Sequence, residues 1–246
     1  MGFTDTREHA CELKCLVDAR TAAAVRHWAR ERMQPDAHLT PGSERYLVTS
    51  LYFDTPDQAV LNRRGSYSRS KYRVRRYDAA DNVFLERKTK TRLLVNKRRE
   101  QLPLAQLAPV LRAPAQAGAN GMAAPGGWFR RRLELRQLEP ACLISYQRLA
   151  CVGTSPAGPL RLTLDDALQC WPSAFPGFEL HAAPLLLLPG QQILELKFLH
   201  HLPALFKSLV AQFGLQTTSV SKYRLAATAL ARRPVSPSQG VHAAIS

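Results

Sequence analysis

The sequence predicts a β-rich α+β protein with about eight strands, mostly joined antiparallel, whose charged faces curl inward. Three observations carry this expectation. Short segments alternate apolar and charged residues at the strand period of two. Three of them repeat a Glu-x-Lys triplet: Glu12-Leu-Lys14, Glu86-Arg-Lys88 and Glu195-Leu-Lys197. The 246-residue chain also carries a formal net charge of +15, so cations must dominate some surface.

The elements follow in order. "CELKCLV" (11–17) alternates and reads as a first strand. Asp18 is placed to cap a helix through "ARTAAAVRHWARERM", which stops before Pro35. "RYLVTSLYFD" (45–54) is rich in β-branched and aromatic residues and predicts a strand. Thr55-Pro56 supplies an N-cap and a first-turn proline, predicting a short helix to about Arg63. "SKYRVRRYD" (70–78) and "NVFLERKTK" (82–90) form a hairpin pattern, and "VNKRREQL" (95–102) a further strand. Residues 113–127 are low in complexity and predict a flexible loop inside one domain spanning 1–233. "WFRRRLELRQ" (128–137) predicts a short helix. Strands resume at "CLISYQRLA", "PLRLTLDDA", "FELHA" and "QQILELKFL". "PALFKSLVAQFG" is amphipathic and ends at glycine, a common helix stop. A last helix covers 219–233, and the tail 234–246 is expected to be disordered.

Composition narrows the function classes. Hydrophobic content of 46% and charged content of 22% describe an ordinary folded chain. The positive excess points to a polyanionic partner: nucleic acid, an anionic membrane surface or a phosphate-rich ligand. "MGFTDTREHA" lacks the apolar region of a signal peptide, and its match to the myristoylation pattern is too short to carry weight. "PLLLLPG" is far too short to span a bilayer, so a soluble, cytoplasmic protein is expected. Cys11, Cys15, Cys142, Cys151 and Cys170 form no C-x-x-C pair, which argues against a zinc site or disulfide framework. The histidines form no metalloprotease spacing, and His200-His201 reads as a turn.

The charged faces carry the chemistry. Lys71, Arg73 and Arg75 share one face of their strand. Tyr146 and Arg148 share another, as do Arg161, Thr163 and Asp165. A solvated face explains any one of these strands. Charges falling in step on strand after strand, with helices available to cover the leucine side, predict a polar-lined barrel instead. Strand parity puts roughly nine cations inside (Lys14, Lys71, Arg73, Arg75, Lys88, Lys90, Arg148, Arg161, Lys197) against four carboxylates (Glu12, Glu86, Asp165, Glu195). Like charges about 5 Å apart repel by roughly 3 kcal/mol at an effective dielectric near 20. Such a lumen would bind a polyanion, and its carboxylates suit a hard divalent cation whose shell the phosphates complete.

The order of "ELKCLV", "SLYFDTP", "KYRVRRY", "FLERKTK", "NKRRE", "ISYQRLA", "RLTLD", "ILELKF" and "SVSKY" resembles a known family. It is similar to the polyphosphate polymerase (VTC) domain of the vacuolar transporter chaperone proteins, in its short stand-alone bacterial form. That domain belongs to the triphosphate tunnel metalloenzyme (CYTH-like) superfamily, with adenylate cyclase-like and thiamine triphosphatase-like enzymes. The resemblance covers about residues 9–228.

It implies an eight-stranded antiparallel tunnel, ATP and inorganic polyphosphate as substrates, and transfer of the γ-phosphate to a growing chain. By position, Lys14, Arg73, Arg75, Lys88, Arg148, Arg161 and Lys197 would grip the reacting phosphates. Lys71 and Tyr146 would hold substrate, joined by Lys97 or Arg99, whose register is open at this stage. Ser221 and Lys222 would bring the last helix to the tunnel mouth. Glu195 would be the chief ligand of Mn²⁺ or Mg²⁺, with Glu86 and Glu12 beside it.

One departure is informative. Hydrolytic branches of the superfamily show E-x-E-x-K on the first strand, and the first glutamate position is Ala10 here. That favours the polymerase branch over a phosphohydrolase of tripolyphosphate or nucleoside triphosphates. A non-catalytic polyanion binder is the third reading. The absence of an RNP-like base-stacking motif argues against specific nucleic-acid binding. No regulatory domain or membrane segment is expected within the chain.

Overall fold

A computed structural model describes residues 10–39, 42–90, 95–112, 124–180 and 182–232. The expected tail at 234–246, and all but the last residues of the expected loop at 113–127, lie outside them. Ten strands form one sheet: β1 (Ala10–Asp18), β2 (Gln34–Pro35), β3 (Tyr46–Asp54), β4 (Ser70–Tyr77), β5 (Asn82–Lys90), β6 (Val95–Pro103), β7 (Glu139–Ser155), β8 (Gly158–Pro172), β9 (Leu185–Leu186) and β10 (Gln191–Leu199). The main path runs β1-β10-β8-β7-β3-β4-β5-β6, with β2 pairing β7 and β9 pairing β8. Every pairing is antiparallel.

The expected eight-stranded closed barrel is corrected in two respects: two short strands, β2 and β9, add to the eight of the main path, and the sheet is not closed. Among the described residues the edge strands β1 and β6 do not pair, so the sheet is open. It is nevertheless strongly curled. Lys88 on β5 and Glu12 on β1 lie six strand intervals apart, about 29 Å on a flat sheet. Their charged atoms nevertheless meet at 3.3 Å, far closer than a lysine and a glutamate could span across a flat sheet.

Five α-helices are described: α1 (Ala19–Arg32), α2 (Leu104–Arg112), α3 (Gly127–Leu135), α4 (Ala204–Gln212) and α5 (Lys222–Ala231). The Asp18 side chain accepts the Thr21 amide at 2.7 Å, the cap expected from sequence. Helix α2 was not anticipated, because Pro109 lies inside it and proline argues against a helix interior. The expected helix after Thr55 is a chain of turns instead. Buried Asp54 accepts the amides of Thr55, Val60 and Leu61, which winds the segment around one carboxylate. Phe178–Leu180 forms no strand; the short strand falls at Leu185–Leu186.

Two apolar clusters clothe the convex side. Leu160, Leu162 and Leu164 of β8 and Leu194, Leu196 and Phe198 of β10 pack with Ala22, Val25 and Trp28 of α1 and Phe206 and Leu209 of α4. Val74 of β4, Val83 and Leu85 of β5 and Leu102 of β6 cluster with Leu107 of α2 and Trp128, Phe129 and Leu133 of α3. Glu100 fastens α3 from outside, accepting the Gly126 amide at 2.8 Å and the Trp128 indole N–H. Gly126 has φ +71, and a Cβ there would approach Val110 to 2.6 Å, so this turn needs glycine. These helices leave the opposite face of the sheet to the charges.

Phe129 is fully buried and packs edge-on against Phe53, Tyr72 and Trp128. Phe129→Ala should cost about 3–5 kcal/mol, read from the midpoint of a urea unfolding curve. A midpoint within error of the parent would show that α3 does not anchor this half of the sheet.

Candidate functional site

Strand alternation brings the charged residues onto the concave face, and the pairing register sets which of them are neighbours. Arg73, Glu86 and Arg99 lie side by side across β4, β5 and β6, and Lys71, Lys88 and Lys97 form the next row. This places both Lys97 and Arg99, left open by the sequence. Glu86 is 2% exposed. It meets Arg73 Nε at 2.6 Å, Lys97 and Arg99 at 3.3 Å and Arg75 at 3.8 Å. Its Oε1 has ionic neighbours but no well-angled hydrogen bond. Burial raises the Glu86 carboxyl, but Arg73, Arg75, Lys97 and Arg99 outweigh it and hold the group well below its ordinary range. One carboxylate cannot neutralise four cations, so this wall stays positive.

A second cluster joins β1 and β10. Lys14 Nζ lies 2.8 Å from Glu12 and 3.6 Å from Glu195, and Lys197 lies 2.7 Å from Glu195. Burial and the Glu195 charge push the Glu12 carboxyl up, while Lys88, Lys14 and Lys197 bring it below its ordinary value. Burial likewise opposes ionisation of Glu195, but Lys197, Lys14, Arg148 and Lys222 hold it well down. Both glutamates are therefore anionic at neutral pH.

A third cluster is centred on Asp165, which is fully buried. Arg148 grips it with two bonds of 2.6 and 2.7 Å, the planar fork that suits arginine. Lys222 reaches the same carboxylate at 2.6 Å and lies 4.6 Å above the Tyr146 ring. Helix α5 is thus tied to the concave face by its first residue. Ser221 accepts from Lys71 at 3.0 Å, and the Val220 carbonyl accepts from Lys14 at 3.3 Å. Tyr223 stacks on Tyr52 and donates to Asp54. The segment 220–223 caps one end of the hollow. Desolvation at that end, and then the charges of Lys14, Lys88 and Arg73, lower the Lys71 ammonium to about 8 although its side chain keeps some solvent contact.

All the expected phosphate-contacting residues thus lie on or at the end of one concave face, with two qualifications. Arg161 is committed to Asp36 and the Tyr46 hydroxyl, a partnership the sequence did not signal. Glu86 is engaged by its four cations, and among the described residues no group of three metal-ligating side chains forms. The expected trio of Glu12, Glu86 and Glu195 is therefore not a single cluster. Glu12 and Glu195 remain neighbours around Lys14. Thr163, opposite Glu195 in the ladder, has a buried hydroxyl without a hydrogen-bond partner. Two carboxylates and a hydroxyl make an all-oxygen donor set, which fits Mg²⁺ or Mn²⁺ retaining water and taking substrate oxygens. Ser50 and Tyr52, which hold Arg75 and Arg73, were legible by the parity of β3 but carry no charge to draw notice. A cleft of about 560 Å³ lined by Thr55, Asp57, Arg64, Tyr67 and Gln137 shares none of these groups.

The folded Glu86 carboxyl lies well below its ordinary value of 4.5. Its contribution to stability is therefore complete above about pH 4.5 and lost as pH falls through the folded value. Glu86→Gln should unfold at lower urea than the parent at pH 7, and the gap should narrow as pH falls below the ordinary carboxyl range. Parallel curves across that range would show that the ion cluster contributes nothing to stability.

Comparison with solved structures finds the same fold. A candidate adenylate cyclase from Bacillus halodurans superposes with a TM-score of 0.51 at 19% identity, covering 87% of this chain and 95% of that one. A candidate adenylyl cyclase from Hippeastrum, described as having a dominant triphosphatase activity, gives a TM-score of 0.49 at 14% identity. It covers 89% of this chain and 95% of its own. No curated protein matches the chain. No helix among the described residues is long and apolar enough to cross a membrane. The family model of the VTC domain matches residues 9–231, from the first Glu-x-Lys strand through the capping helix. With that match running through every strand of the charged hollow, the chain belongs to the VTC domain family.

Proposed function

We propose that the chain is a polyphosphate polymerase that transfers the γ-phosphate of ATP to a growing polyphosphate chain held along the basic concave face. One observation carries this reading: the buried carboxylates are each already paired, and cations remain in surplus around them. Glu86 alone faces Arg73, Arg75, Lys97 and Arg99. A dianionic phosphoryl group supplies the missing negative charge.

Phosphoryl transfer depends on in-line placement and on neutralising charge at the transferred oxygens. The guanidinium groups of Arg73, Arg75 and Arg148 are held by Glu86, Ser50 and Asp165 before substrate arrives, so little reorganisation is needed. Lys14 and Lys197 act as point charges at the β1–β10 wall, and Lys88 of β5 faces them across the hollow. Glu195 and Glu12 are the residues that would hold a divalent cation, with Thr163 adjacent. Held there, a divalent cation would supply positive charge against the negative charge that develops on the leaving nucleoside diphosphate. Glu86 serves as the organiser of its four cations rather than as a ligand. The attacking terminal phosphate is itself anionic, so no histidine base is required. Ala10, at the position where hydrolytic relatives carry a glutamate, favours polymer synthesis over hydrolysis.

Incubation with ATP and Mn²⁺ should yield polymer on a gel. Orthophosphate release without polymer would select the phosphohydrolase reading, and neither product would leave a polyanion binder. Glu195→Gln keeps the shape and removes the charge. It should lower polymer synthesis at least about a hundredfold while the circular dichroism spectrum stays near the parent, although loss of the charge between Lys14 and Lys197 lowers the urea midpoint. Full activity in this variant would remove Glu195 from the metal role.

A further inference from the structure

The two ends of the concave face differ in kind. Segment 220–223 closes the end near Lys71 and Asp54. The other end lies about 20 Å away along β4, at Tyr77. Here the side chains are aromatic. His38 and Tyr77 stack face to face, with centroids 5.3 Å apart and planes within 8°. Phe84 meets Tyr77 edge-on at 5.6 Å, and the Arg99 guanidinium lies 3.6 Å from the Phe84 centroid. His38 is exposed, and Tyr77 and Phe84 are only half-buried.

This cluster is braced from behind. The His38 amide donates to Asp36, which also accepts from Arg161 and Tyr46. Arg99 donates to the Tyr77 hydroxyl at 3.2 Å and also faces Glu86. The same arginine therefore touches both the aromatic mouth and the phosphate-facing wall. Tyr77 follows Arg75 by two residues on the same face of the strand, about 7 Å further out. Tyr77 rests on the core beside Tyr46 yet stays half-exposed next to the exposed His38, and the adjoining Arg75 and Arg99 share the single Glu86 carboxylate with two further cations.

We infer that the His38–Tyr77 stack is a nucleobase platform that seats the base of a nucleoside triphosphate at the open mouth. The phosphates then run inward past Arg99 and Arg75 toward Arg73. Flat, parallel rings present a π-face to any purine, and neighbouring guanidinium groups add cation–π attraction. The inference rests on the phosphate-binding reading above and adds what distinguishes a nucleotide from bare phosphate at this site.

The test compares two ligands on the full chain in Mg²⁺ by calorimetry: the β,γ-imido analogue of ATP and inorganic tripolyphosphate. His38→Ala and Tyr77→Leu should each weaken the nucleotide about five- to a hundredfold and leave the tripolyphosphate titration unchanged. Tyr77→Phe keeps the ring and loses the hydroxyl contact to Arg99, so it should retain nucleotide binding. Equal losses for both ligands, or no loss for the nucleotide, overturn the platform. A parent that binds tripolyphosphate but not the nucleotide overturns the platform while the anion site stands. A parent that binds neither overturns both readings.

Discussion

Charge surplus in a confined space governs this structure. Arginines and lysines from β1, β4, β5, β6, β7, β8 and β10 face one hollow, and the four carboxylates among them cannot balance the total. Separated like charges would spread the sheet. The observed curl is held instead by carboxylates set between cations, Glu86 within one wall and Glu12 reaching from β1 to Lys88 of β5. The second contact spans strands that no hydrogen-bonded ladder joins. Electrostatics therefore helps hold the curl that backbone pairing does not close.

The convex side makes that arrangement possible. Folding must bury enough apolar surface to offset the cost of desolvating buried ions. The two clusters under α1 and α4 and under α2 and α3 supply it. Each strand thus has a division of labour set by its period: one alternate set of residues packs and the other holds charge. The last helix joins the cluster under α2 and α3 from the concave side. Tyr223 and Ala226 pack inward with Tyr52 and Ile193, and Lys222 enters the Asp165 cluster. That helix closes one end and leaves the aromatic end open, which gives the hollow a direction.

Much of this was legible in one dimension. Alternation located six of the long strands to within a residue or two, because a period of two needs only local residue types, whereas β7 and β8 run up to five residues beyond their expected ends. The Glu-x-Lys triplets identified the wet face on the same grounds. The misses are equally physical. The turns after Thr55 follow Asp54, whose three amide bonds outweigh a good local helix start. Helix α2 contains a proline that local propensity counts against it. Asp36 holds Arg161 from 125 residues away, with no local signal at either end.

The sequence by itself determined the strands, the side of each that carries charge, and the cation excess, since these depend on residue type and spacing alone. Only the tertiary structure decided which charges are neighbours. Register placed Lys97 and Arg99 on Glu86, making that residue the centre of a cation cluster apart from Glu12 and Glu195. The β4–β5 register set Tyr77 beside Phe84, and the segment ahead of β3 brought His38 onto Tyr77, where no contiguous aromatic motif exists. Coulomb energy and ring stacking depend on distance in space, and that distance is set by pairing and curvature rather than by position along the chain.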